Sequence, residues 1–334
     1  MGLATSQYHR QQHPHYSYNI HPSFLPSASL HTVLYNWRRD LPNKKDRYSF
    51  RHDSVDAVES GDPPQDASPL PSRIDHRKSL PGIYQQDGLG SSTVQALRVL
   101  LEHHCFDEIG EEELSALFMY YTARDEDGTL PCDAGVSFRT ALRSLHKYGG
   151  CFEDEWPYVV GSYLERPPCT AYTTAWHPSV HGERVPHELE ALKYHLANGY
   201  LVAFGTTVYD SFDSLNTIRT GQVKMPETDT EDHYGGHAMV LVGYDDHDDH
   251  FIVRNSWGSK WGDSGYSYIP YAYVIDSELC SDFWILVKDK IDYSNMVDKI
   301  DEVPKVNDTT DDDTTTTDDD TATTGSYKFK DEEL

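Results

Sequence analysis

Apolar side chains recur at helical spacing up to about residue 200 and then switch to short β-rich runs, so one chain carries two kinds of pattern. Val94, Leu97 and Leu101 share one face of a helix that the spacing predicts from Ser92 to about Cys105. Two more helices are expected in EEELSALFMYYTAR and in SFRTALRSLHKYGG, whose closing glycines suit a helix stop, and a fourth in PHELEALKYHLANGY. The runs LVAFGTTV, HAMVLVGY, HFIVRNSW, GYSYIPY and DFWILVKD then read as strands separated by turns. A helical half before a β half predicts the α+β class.

The ends carry no such period. Residues 1–34 are rich in His, Tyr, Pro and Ser, and residues 301–334 hold twelve Asp or Glu against three Lys with Thr between them; both compositions predict disorder. The expected organisation is a disordered segment 1–34, an extended arm and linker over 35–80, a compact domain over 81–288, and an acidic tail over 289–334. Within the compact domain the helical part ends near 200 and the β part occupies 201–288.

The net charge of −27 leaves the first 300 residues acidic even without the tail, which argues against nucleic acid as a partner. No apolar run is long enough to span a membrane, and the first residues lack the apolar core of a secretory signal, so an intracellular, cytoplasmic protein is expected. MGLATS fits a myristoylation pattern at Gly2, and the terminal KDEEL resembles a retrieval signal without a matching entry signal. Cys105, Cys132, Cys151, Cys169 and Cys280 are scattered and odd in number, the pattern of reduced thiols. No cofactor is expected. DDHDDH (245–250) has metal-ligand residue types, but its place between two strand-like runs marks it as a solvated hairpin loop.

Two stretches hold candidate chemistry. QQDGLGSSTVQAL places Ser91 and Ser92 where a helix begins, and capping by a serine hydroxyl is the plain reading. GGHAMVLVGY and RNSWGSKWGDSGY place His237, Asn255 and Trp257 at strand and turn positions, where each alone could be an ordinary structural residue.

Taken together, these segments resemble the papain-like cysteine peptidases. IYQQDGLGSSTVQAL, RRDLPNKKD and KYGGCFEDEWPY are similar to the short-propeptide branch found in microbes and some viruses, and the resemblance runs over about residues 35–287. It implies a helical lobe and an antiparallel β-barrel lobe with the site in the cleft between them, and hydrolysis of polypeptides by acyl transfer. By that resemblance position 92 is the nucleophile, His237 the proton carrier, Asn255 the residue that orients its ring, and Gln86 the oxyanion donor. Trp257 would shield the His–Asn bond, Gly90, Ser91 and Gly236 would support the site, and Gly135 is the nearest match to the wall that pairs with substrate backbone.

The sequence departs from that pattern in having serine at 92 and threonine at 93, and in lacking a long helical propeptide. A serine hydroxyl is not stored as an alkoxide, so it needs His237 as a general base during attack. The leading expectation is therefore a peptidase with weakened or silenced activity. A pseudopeptidase that grips extended polypeptides or a protein partner is the second, and a structural or particle-associated component using its acidic ends is the third.

Overall fold

The computed structural model describes residues 35–47 and 69–289. The disorder expected of 1–34 and of the acidic tail, the Gly2 motif, the terminal KDEEL and most of the linker lie outside these residues. In chain order the elements are β1 (Arg73–Asp75), α1 (Ser92–His104), α2 (Phe106–Ile109), α3 (Ala116–Glu126), α4 (Phe138–Tyr148), α5 (Cys169–Thr173), β2 (Val180–Arg184), α6 (Leu189–Ala197), β3 (Val202–Tyr209), α7 (Leu215–Thr220), β4 (His233–Asp245), β5 (His250–Arg254), β6 (Tyr266–Pro270), α8 (Tyr271–Val274) and β7 (Cys280–Lys288).

The helices form where their caps permit. Ser115 and Ser137 accept hydrogen bonds from the N–H groups of Phe118 and Thr140, which fixes the starts of α3 and α4, and Gly149 closes α4 with φ at +71°. α3 thus begins five residues after the start of the acidic run at Glu111, because Ser115 and not the glutamates makes the cap.

The strands form an antiparallel sheet in the order β2-β7-β3-β4-β5-β6, with β1 pairing the far end of β4. Both faces are covered, so β4 reads as an unbroken apolar run. Its Ala238, Val240 and Val242 pack toward α1, while Met239 and Leu241 join Phe204, Phe251 and Leu192 on the other face. The α+β class is borne out, with one difference from the sequence pattern: β1 and β2 belong to the earlier part of the chain and yet complete the sheet. Their sequences, RID and VHGER, are mostly charged or otherwise poor strand formers and carry no apolar run to mark them.

α1 also departs from the amphipathic expectation, being buried on every side from Ser92 to Glu102. Its charged residues are paired inside the protein. Arg98 and Glu102 form an i,i+4 ion pair at 2.8 Å, Arg98 also meets Glu113 at 2.7 Å, and its guanidinium lies 3.8 Å from the centre of the Tyr84 ring. Arg98 and Glu102 mimic an exposed face in sequence while occupying the core in structure. DDHDDH forms the turn between β4 and β5, and all five cysteines are free thiols.

Candidate active site

α1 brings Ser92 to the edge of the sheet, and β4 and the end of β5 supply the residues that meet it. The predicted cap does not form. Ser91 occupies the N-cap position without a side-chain bond to the helix, its hydroxyl lying instead 2.6 Å from that of Tyr158. The Ser92 hydroxyl accepts from the Ala238 N–H at 3.2 Å, which joins the start of α1 to the residue next to His237. The first-turn N–H groups of α1 are thus left without a serine cap, at the end of the helix that favours negative charge.

His237 is fully buried, and its Nε2 lies 2.8 Å from Asn255 Oδ1. That oxygen also accepts from the Ser256 N–H at 2.8 Å, which fixes the amide orientation. A carbonyl oxygen only accepts, so the imidazole hydrogen resides on Nε2 and Nδ1 carries the lone pair. Nδ1 has no hydrogen-bond partner among the described residues. Burial pulls the His237 pKa down to about 4, the bond to Asn255 opposing this only in part, so the ring is neutral at neutral pH. Trp257 covers the pair, its ring centre 4.7 Å from that of His237.

Gln86 is buried beside them. Its Oε1 accepts from Ser256 Oγ at 2.6 Å, and Nε2 donates one hydrogen to the Leu89 carbonyl at 3.0 Å, leaving the second amide hydrogen. Tyr158 donates to the Gln86 carbonyl at 2.9 Å and so ties Gln86 to Ser91. The Gly90 N–H donates to the Asp133 carboxylate. Ser92, His237, Asn255 and Gln86 therefore converge, with Trp257, Gly90, Ser91 and Gly236 around them.

The arm crosses this site. The Trp37 N–H donates to the Gly236 carbonyl at 2.9 Å, and the Asn36 side chain donates to the Asp133 carbonyl at 2.8 Å. Gly135, the residue expected to face substrate backbone, lies so close to the Asn36 carbonyl that a Cβ would overlap it. Its φ of +63° is a second reason for glycine there. The Trp37 indole fills the space over Gly205, where a Cβ would again overlap, and Tyr35 stands edge-on to His237 and Trp257. Gly205→Val is expected to expel the indole, read as a red-shifted Trp37 emission against a matched Trp37→Phe control.

A charged clasp holds the arm's other end. Arg184 donates to Asp46 and Asp282, both at 2.6 Å, and Arg139 pairs with Asp40 and Asp46, both at 2.9 Å. The Asp40 N–H donates to Asp282 at 2.7 Å. Tyr35, Asn36, Trp37, Asp133, Tyr158 and Ser256 were not singled out by sequence. The signal for the first three was available: Tyr-Asn-Trp stands directly before the RRDLPNKKD segment.

A helix N-terminus set against a histidine–asparagine pair on an antiparallel sheet, with a glutamine beside them and a tryptophan above, is the arrangement of papain-type cysteine proteases. The chain belongs to the papain family cysteine proteases, whose pattern matches residues 70–280. It is 38% identical over 215 residues to an uncharacterized peptidase C1-like protein of Acanthamoeba polyphaga mimivirus, an overlap of 60% of this chain and 68% of that one. It is 26% identical over 243 residues to a cathepsin B-like protein of Giardia intestinalis, covering 67% of this chain and 73% of the relative. Among solved structures, xylellain, a cysteine protease from Xylella fastidiosa, superposes with a TM-score of 0.67 at 29% identity, over 78% of this chain and 97% of that one. No helix among the described residues is long and apolar enough to cross a membrane.

Proposed function

We propose that this chain is a papain-type peptidase that hydrolyses polypeptides by acyl transfer, with Ser92 in the nucleophile position and its cleft covered by its own arm. The observation that carries the reading is the His237–Asn255 pair, which leaves Nδ1 as a neutral base beside the start of α1. In the reaction His237 Nδ1 removes the Ser92 proton as the hydroxyl attacks the scissile carbonyl, and later delivers it to the leaving amine. Asn255 holds the ring in the tautomer this requires. The remaining Gln86 amide hydrogen, with the uncapped N–H at the start of α1, stabilises the oxyanion.

Serine changes the demand on His237. A thiolate is stored by an imidazolium, whereas a hydroxyl needs a neutral imidazole at the moment of attack. The depressed His237 pKa suits the second case. Activity of the native chain is therefore expected to hold through neutral pH and to fall only as acid protonates the ring, from about 6.5 in an open, wet cleft toward about 4 in the closed one. Hydrolysis of an unfolded protein by the native chain, absent in Ser92→Ala, is the direct test; equal rates for the two would remove Ser92 from the reaction.

The second reading, a pseudopeptidase that binds an extended polypeptide or a protein partner, draws on one feature. The Ser92 hydroxyl is bonded to the Ala238 N–H and makes no hydrogen bond to His237 Nδ1. Binding of an unfolded protein without cleavage, competed by a peptide spanning residues 35–47, would select it.

A further inference from the structure

At the root of the arm, away from the cleft, a cavity of about 320 Å³ opens between residues 45–47, α4, β2 and β7. Leu142, Leu145, Val180 and Trp284 form its apolar floor. Gly182 lets β2 approach α4 there, since a Cβ would come within 2.5 Å of Leu142. The charged lining is opposite in sign to the chain. Lys45, Arg47, Arg139 and Arg143 line it together with His146 and His181, and Asp46 is the one acidic residue in that lining, in a sequence with 55 Asp and Glu against 28 Lys and Arg.

Asp46 is already committed to Arg139 and Arg184, and His181 is held by Glu183 and Asp289. Among the described residues Lys45, Arg47 and Arg143 have no ion-pair partner. Like charges gathered around one cavity repel one another, and an anion placed among them relieves that repulsion. The cations also come from two sides of a junction: Lys45 and Arg47 from the arm, Arg139 and Arg143 from α4.

We infer that this cavity binds a small polyanion bearing phosphoryl groups, and that the bound anion fastens the arm to the domain. The fastening rests on the reading that the arm covers the cleft. A ligand bridging arm and α4 meets its full set of partners only while the arm is docked, so by linkage it favours the docked state. Phosphoryl oxygens match the fork of Arg47 and Arg143, neither of which forms an ion pair among the described residues.

Calorimetric titration of the full chain with inorganic pyrophosphate is expected to show saturable binding at one site, weakened about tenfold by Arg47→Ala and by Arg143→Ala, as loss of one charge-assisted contact predicts. Both residues are exposed, so the variants keep the core intact. Hydrogen exchange at the Trp37 amide, followed in parallel, is expected to slow as pyrophosphate saturates. No binding, binding untouched by both variants, or a Trp37 amide indifferent to bound pyrophosphate would overturn the inference. Citrate binding as tightly as pyrophosphate would overturn the phosphoryl assignment. With pyrophosphate bound, a Trp37 amide that still exchanges freely would instead overturn the covered-cleft reading, whereas one protected equally with and without it overturns only the fastening.

Discussion

Ser92→Cys is expected to convert a protein inert to thiol-directed peptidyl electrophiles into one that they label at position 92, with cleavage of unfolded protein rising by three orders of magnitude or more. Loss of a triad nucleophile can cost on the order of 10⁶ in kcat, so its return has that range available. The thiol would stand at the uncapped start of α1 beside His237, and both features favour thiolate. His237→Ala in the same background must abolish the gain. Trp37→Ala should raise the labelling rate further by loosening the arm, and labelling indifferent to Trp37 would mean that the arm does not limit access. If Ser92→Cys gains neither labelling nor cleavage, the cleft lacks more than a thiol.

Arg184→Met is expected to destabilise the protein by about 3–5 kcal/mol, because it strands the buried Asp282 carboxylate, whose charge the guanidinium now balances, and leaves Asp46 to Arg139 alone. The denaturant midpoint measures this, and the Trp37 amide should lose exchange protection with it. Arg184→Lys should fall between, since one ammonium cannot reproduce bonds to Asp46, Asp282 and the Asp40 carbonyl together. A midpoint unchanged in Arg184→Met would show that the clasp contributes nothing net.

The pH dependence of stability has a defined sign at His237. Its folded pKa lies below the unfolded value, so the unfolded chain binds the extra proton first, and stability rises with pH between about 4 and 6.5. The span corresponds to about 3 kcal/mol. Asp213, beside Asp210 and Tyr35, works in the opposite sense. Burial, then Asp210, raises its pKa to about 6, so its contribution is present in acid and is lost as pH rises through that value. Because the two windows overlap and oppose, His237→Gln should make the slope of stability between pH 4 and 6 more negative and Asp213→Asn should make it more positive; unchanged slopes in denaturation measured from pH 4 to 7 would contradict both assignments.

The larger helices and five of the strands were readable because each presents a long enough period. The candidate site was legible because Gln86, His237 and Asn255 lie in glycine- and aromatic-rich segments that together match one family pattern, and the fold brings these three side chains near one another. What could not be read has physical causes. β1 and β2 are spelled RID and VHGER, charged stretches without an apolar run. Arg98 and Glu102 look solvent-facing in sequence because a buried ion pair and an exposed one are spelled alike. Ser91 looked like a cap, but its hydroxyl meets that of Tyr158, 67 positions away in sequence. The arm carries no periodicity, since it pairs by single bonds to Gly236 and Asp133 and by charges to Arg139 and Arg184, all distant in the chain.

The clasp also has a consequence for how the chain matures on the ribosome. Asp40 bonds Asp282 across 242 positions, and β2 pairs β7 across about a hundred. Neither contact can form until nearly the last strand has emerged, so α1, α3 and α4 must wait with part of their sheet missing. The arm would then be synthesised before the strands it docks on and settle after them. Until it does, a nascent chain would present an uncovered cleft, and a peptidase of this design would first be closed only after β7 has emerged.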